Sequence, residues 1–306
     1  MNPLTDTSKH VITYGTGKST TVVHDLGRGR FHWQRSVGPT GRPRSALPTT
    51  EVLAAAVAAG DERVRFTIGR EETDGVSYEL PSPVSLGWWL LNGEIHPDQA
   101  VDAVRAAGAA LRRLHSTVLP LGFTARPEPV MDLVEWMDAG SGHGETRFFH
   151  STTGERLGGL RWDLLRGWAA DILGPPGSVV LAHGGFVPNG IVTNEDRSSV
   201  EVLTGTKLCV APAAYDIGMF LADLAGMRSV SLFGAANGGP VLPDPAPLAD
   251  ALLDGYGGSP DREGVGRVIC IAYLDRLRGY TAHLGWTDFL LAELDRVAEL
   301  IDSGGL

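Results

Sequence analysis

The sequence predicts an α+β chain of two parts, a small β-rich lobe followed by a larger helical lobe, with a ligand cleft between them. Three observations predict it. β-Branched and aromatic runs dominate the first 80 residues, Pro81 and Pro83 mark a break, and from Pro97 apolar residues recur at helical spacing.

The elements follow in order. TTVVHDL and RFHWQRS read as two strands joined through Gly27, Arg28 and Gly29. In PTTEVLAAAVAAG, Thr49 or Thr50 caps a helix, Glu51 favours its first turn and Gly60 stops it. VRFTI and VSYEL are two further strands with the turn TDG between them. Residues 1–80 are thus expected as a β-rich domain and residues 81–306 as a helical one.

Pro97 opens a helix in which Val101, Val104, Ala107, Leu111, Leu114 and Val118 share a face. Residues 122–160 read as an insertion with one helix at VMDLVEWM. WDLLRGWAADIL is helical, SVVLA and SVEVL are short strands, and three helices are expected to close the chain. The last of these carries Leu290, Leu294, Val297 and Ile301 on one face.

The 306 residues, 43% of them hydrophobic, suffice for a sizeable core. MNPLTDTSKH lacks the apolar centre of a signal peptide, and no apolar run is read as a span of roughly 20 residues. A cytoplasmic protein without membrane contact is expected. Cys209 and Cys270 sit in apolar surroundings, which argues for core thiols and against a disulfide or zinc site. The net charge is −10, yet residues 1–50 hold seven Lys or Arg against two acids. That balance argues against nucleic-acid binding by the acidic remainder. It marks Arg28, Arg30, Arg42 and Arg44, all on expected turns, as candidate contacts to an acidic peptide or partner.

LAHGGFVPNGIV resembles the catalytic loop of the aminoglycoside phosphotransferase and choline kinase group, an apolar strand followed by His-Gly-Asp and, after Pro, an Asn. His183, Gly184, Phe186 and Pro188 fall in place. AYDIGMFLADLAG, LHS at 114–116 and LLDGYG at 252–257 are similar to further segments of that group, in the same order. The resemblance implies a bilobal, protein-kinase-like fold with a nucleotide site between the lobes.

It also implies where chemistry would lie. Metal-dependent phosphoryl transfer needs a base for the hydroxyl nucleophile and acidic or amide ligands for Mg²⁺. The corresponding positions hold Gly185, Gly190 and Thr204, with Asn189 displaced by one residue. Gly185 and Thr204 are expected to face the cleft and to tolerate aspartate. His183 and Asp216 match residues that brace the loop from behind. TYGTGKSTTVV resembles the glycine turn over nucleotide phosphates, which nominates Gly15, Gly17, Lys18 and Ser19. A P-loop is not expected, because position 12 is Ile and a strand follows the turn. Gln34 or Arg35 stands where the group has a strand lysine, Arg35 being placed to pair with Glu51. Two prolines occupy the linker that offers backbone groups to adenine.

ATP and Mg²⁺ binding of ordinary kinase strength is therefore not expected. The resemblance implies a pseudokinase, a binding or scaffolding subunit that presents a peptide or small molecule to a partner enzyme. Proteins resembling this group occur in class V lanthipeptide and thioamitide biosynthesis, where a kinase-like component works with a lyase. The alternative is an active phosphotransferase whose acids have moved to Glu195, Asp196 or Glu201.

Overall fold

The computed structural model of the chain describes residues 9–41, 46–93, 95–142, 145–174, 179–196, 198–235, 241–258 and 260–305. Arg42 and Arg44 lie outside the described residues.

Three antiparallel strands open the fold: β1 (Lys9–Gly15), β2 (Ser19–Gly27) and β3 (Arg30–Val37). Gly27, Arg28 and Gly29 all have positive φ, so a tight left-handed turn joins β2 to β3 with Arg28 exposed at its tip. Arg30, assigned to that turn by the sequence pattern, is instead the first residue of β3. Its guanidinium donates to the Glu79 carbonyl at 3.1 Å and lies 3.7 Å from the Glu79 carboxylate. After α1 (Thr50–Ala58) come β4 (Val64–Ile68), β5 (Arg70–Glu72) and β6 (Gly75–Leu80). The main sheet has the order β1-β2-β3-β6-β5.

VRFTI does not join that sheet. β4 pairs in parallel with β9 (Val200–Thr204), which pairs on its other side with β8 (Ile191–Thr193). Val64 and Phe66 are buried, and burying them in the large core of the helical lobe outweighs the sequence-local pairing with VSYEL. Strands from both lobes thus share one ladder.

The linker leads into α2 (Leu86–Asn92), capped by the Ser85 hydroxyl, which accepts the Trp88 N–H at 3.2 Å. α3 (Pro97–His115) buries Val104, Ala107, Leu111 and Leu114 as the spacing predicts, but it ends before Val118, which is exposed. The 122–160 region is more helical than the pattern suggests, with α4 (Glu128–Ala139) and the start of α5 (Thr146–Leu173), kinked at Gly158. β7 (Val180–Ala182) pairs with β10 (Cys209–Ala211).

Four described helices close the chain, one more than expected: α6 (Ala214–Ala235), α7 (Ala246–Tyr256), α8 (Arg262–Leu284) and α9 (Phe289–Ser303). The fourth is α6, which AYDIGMFLADLAG opens. No membrane-spanning run is read from the sequence, yet α6 is long and apolar enough to span a membrane by length and composition; its Tyr215, Ile217, Phe220 and Leu224 are packed in the core. Helices α3, α6 and α7 share a core with α1 and β4, while α4, α5, α8 and α9 enclose another. A third, small cluster of Val23, Trp33, Leu80, Val192 and Leu203 lies between the lobes.

Candidate functional site

The loop from His183 to Gly190 leaves β7 and is fixed from below by Asp216 in the first turn of α6. The Asp216 carboxylate accepts the backbone N–H of His183 at 2.7 Å and of Gly184 at 2.9 Å. It also stands 3.0 Å from His115 Nε2, whose Nδ1 is 3.0 Å from the Tyr256 hydroxyl. Burial alone would raise the Asp216 carboxyl, but the hydrogen bond and charge of His115, with His183 and its amide, hold it below the usual carboxylate value. The segments LHS, AYDIG and LLDGYG, far apart in sequence, meet at this carboxylate.

His183 is buried between Phe66 and Phe186, and its Nε2 lies 3.1 Å from the Leu203 carbonyl. Desolvation brings its imidazole down to about 4, against the opposing pull of Asp216 and with the help of nearby Lys207. The neutral ring donates Nε2–H to Leu203 and clamps β9 to the loop.

Thr204 does not face an open cleft. It is 2% exposed, its hydroxyl donates to the Val202 carbonyl at 2.8 Å, and it lies 3.2 Å from His183 Nε2. Gly185 is buried as well, and a Cβ there would meet Lys207 Cδ at 2.6 Å and Nζ at 3.2 Å. At Gly184, φ is +76° and a Cβ would overlap the Lys207 carbonyl. The two glycines admit the Lys207 segment against the loop. Lys207 thus occupies the space that a side chain at 185 would fill. At Gly190 a Cβ would make only ordinary contacts, with the Gly185 carbonyl at 3.7 Å and Val187 at 4.0 Å. Asn189 turns away, its Oδ1 accepting the Ser85 hydroxyl at 3.2 Å beside the start of α2.

In the small lobe, Gly15 ends β1 and Ser19 begins β2, so the glycine turn lies between strands. It is folded in on itself and onto the 38–41 turn: Thr16 N–H reaches Ser19 O at 2.9 Å, Gly38 N–H reaches Lys18 O at 2.9 Å and Thr40 N–H reaches Gly17 O at 2.9 Å. The Thr40 hydroxyl is 2.8 Å from His283 Nδ1 on α8, which ties this turn to the helical lobe. Arg35 approaches Thr21, its Nε 3.4 Å from the hydroxyl, and not Glu51. Glu51 is exposed at the start of α1 and bonds Thr49, so the expected ion pair does not form.

One residue from the same face of β3 as Arg35, Trp33, decides the cleft. Trp33 is fully buried in the cluster with Val23 and Leu80 above and Val192 and Leu203 below. Its indole N–H donates to the Ser82 carbonyl of the linker at 2.9 Å. The Ser82 hydroxyl takes the Val84 N–H at 3.2 Å, and Pro81 and Pro83 have none. The Ser82 carbonyl and hydroxyl and the Val84 N–H and carbonyl are thus taken up within the protein.

Glu195, Asp196 and Glu201 do not gather at the loop. Asp196 bonds Ser198 in its own turn, and Glu201, bonded to the Thr67 hydroxyl, lines a groove of about 460 Å³ with Arg30, Arg65 and Glu79. Among the described residues no three His, Cys, Asp or Glu side chains form a metal-holding group. Burial raises the thiols of Cys209 and Cys270, the latter to about 12, and both are free.

Sequence reasoning missed Trp33 and Lys207. Trp33 is visible as the residue two before Arg35, hence on the same strand face. Lys207 is one of only three lysines, with Lys9 and Lys18, in a chain whose other positive side chains are arginine.

No family model matches the chain, and no curated protein matches it by sequence. Solved structures do match by fold. A choline/ethanolamine kinase family protein from Mesorhizobium loti superposes with a TM-score of 0.54 at 15% identity, covering 99% of this chain and 89% of that one. Spectinomycin phosphotransferase, in complex with ADP and spectinomycin, gives 0.53 at 12% identity over 97% and 92%. Plasmodium vivax ethanolamine kinase gives 0.51 at 15% over 99% and 85%. With its braced His183 loop, its β-sheet lobe and its larger helical lobe, this chain has the α+β, protein-kinase-like fold of the aminoglycoside phosphotransferases and choline/ethanolamine kinases.

Proposed function

We propose that this chain is a phosphotransferase-fold protein that binds without transferring phosphate, acting as a pseudokinase subunit that holds a small molecule or peptide for a partner enzyme. The observation that carries the reading is Trp33. A flat, nitrogen-bearing ring system already fills the slot between the lobes and takes the linker carbonyl at 2.9 Å, so an adenine has neither space nor a partner there. Gly185 and Thr204 add to it, since neither can accept a proton from a nucleophile or neutralise a divalent cation.

The partner in this proposal is a lyase-type enzyme of peptide tailoring in the cytoplasm, a choice that rests on the resemblance of the sequence motifs. Arg28 at the tip of the β2–β3 turn is the described part of its docking handle, with Arg30 held back by Glu79. The rival, a phosphotransferase with relocated acids, differs in a measurable way. Calorimetry with ATP and Mg²⁺ separates them: we expect no binding at micromolar strength, and a micromolar signal abolished by EDTA would overturn the reading.

A further inference from the structure

The inter-lobe cleft gathers the positive charges of Lys18, Arg35 and Lys207, opposed at a distance by Glu128 and Asp275. The ammonium groups of Lys18 and Lys207 have no hydrogen-bond or ion-pair partner among the described residues, and Arg35, which bonds the Tyr14 hydroxyl and approaches Thr21, has no carboxylate partner among them. Arginine supplies every other positive side chain after residue 18, so a compact ammonium at 207 is specific to this place. Beside Lys207 opens a cavity of about 280 Å³, whose walls include Pro48, Phe123, Met131 and Leu208, with Arg126 and Glu128 at its edge.

We propose that this cleft binds a phosphomonoester without metal, its dianion held by Lys207, Lys18 and Arg35 and its small, mostly apolar organic group lodged in the cavity next to Lys207. The inference rests on the reading that the cleft does not take metal nucleotide, and it deepens that reading by naming the ligand class. Charge decides for phosphate over carboxylate. A phosphomonoester carries about −1.5 to −2 at neutral pH, which matches three cations better than a single negative charge does. Position decides the rest. Gly185 has no side chain to repel the anion, Trp33 denies it an adenine, and the cavity lined by Lys207 is the adjoining space.

The surroundings of Lys207 also set a pH dependence. Although its side chain reaches solvent through the cavity, the protein packed around it and the charges of Lys18 and Arg35 bring its ammonium down to about 8. Glu128 and Asp275 oppose that, Asp275 being already paired with Arg278 at 2.6 Å, and His183 is neutral. A bound dianion pushes the Lys207 value back up, so affinity is highest between pH about 6, below which the phosphate takes up a proton, and pH about 8, and weakens as pH rises through the latter.

The test uses the full chain in EDTA, with phenyl phosphate, inorganic phosphate and benzoate as probes, followed by calorimetry and thermal melting. Phenyl phosphate is expected to bind more tightly than either of the others. Lys207→Met should weaken it about tenfold or more, whereas Lys207→Arg keeps most of the affinity. The melting of each free variant verifies folding. Absence of binding by phenyl phosphate at millimolar concentration, or binding unchanged in a folded Lys207→Met, overturns the inference alone. Tight ATP binding that requires Mg²⁺ in the same assay overturns the function proposed above as well.

Discussion

The indole N–H of Trp33 and the carbonyl of Ser82 form a 2.9 Å hydrogen bond that joins the central strand of the small lobe to the linker between the lobes. Pro81 and Pro83 flank that carbonyl and remove two N–H groups from the segment. A large ring in this position makes the linker side of the cleft a packed interior, apart from the open cavity beside Lys207.

Trp33→Ala should therefore cost about 3–5 kcal/mol, the range for truncating a fully buried tryptophan. Urea unfolding measures it. Added indole should restore part of the loss by refilling the space. A cost below about 1 kcal/mol would mean that the slot is not filled by Trp33 in solution.

Gly185 should differ sharply from both Thr204 and Gly184. Gly185→Asp needs only the flexible end of Lys207 to move, and its carboxylate then meets that ammonium, so we expect a loss of about 1 kcal/mol. Thr204→Asp places a charge in a buried site beside His183 and should cost about 3 kcal/mol or more. Gly184→Ala, at φ +76° against the Lys207 carbonyl, belongs with the severe changes. Chemical denaturation of the three variants checks the order, and equal tolerance of aspartate at 185 and 204 would contradict the burial of Thr204.

His183 makes stability depend on pH. Burial holds its imidazole down at about 4 in the folded chain against 6.5 in the unfolded one, so between these values only the unfolded chain binds the proton. The contribution is complete above pH 6.5 and is lost as pH falls towards about 4, to a total of about 3 kcal/mol. His183→Gln should flatten the stability profile across that window. A wild-type profile already flat there would show that His183 is not buried neutral.

Across the cleft mouth, the 2.8 Å contact of Thr40 with His283 Nδ1 ties the glycine turn to α8. Thr40→Val should cost about 1 kcal/mol and release the turn. Amide hydrogen exchange at Thr16 and Lys18 should then accelerate while the β7–β10 amides keep their rates. Unchanged exchange at the turn would show that its internal bonds to Gly38 and Ser19 are sufficient to hold it.

Much of the architecture was legible in the sequence because it is local. The 3.6-residue spacing of Val104, Ala107, Leu111 and Leu114, and of Leu290, Leu294, Val297 and Ile301, placed two helices and their buried faces. The order of LHS, AHGG, AYDIG and LLDGYG gave the fold, and the absence of acids at 185, 190 and 204 is a property of the letters themselves. Tertiary structure alone decided the rest. It sent β4 to β9 because parallel pairing across 130 or so residues leaves no periodic mark in either strand. It buried Thr204, separated Glu51 from Arg35, and brought Lys207 against Gly185 and Trp33 beneath the linker. Each of these depends on which non-neighbouring surfaces compete for the same volume, and that competition is settled only when the two lobes pack together.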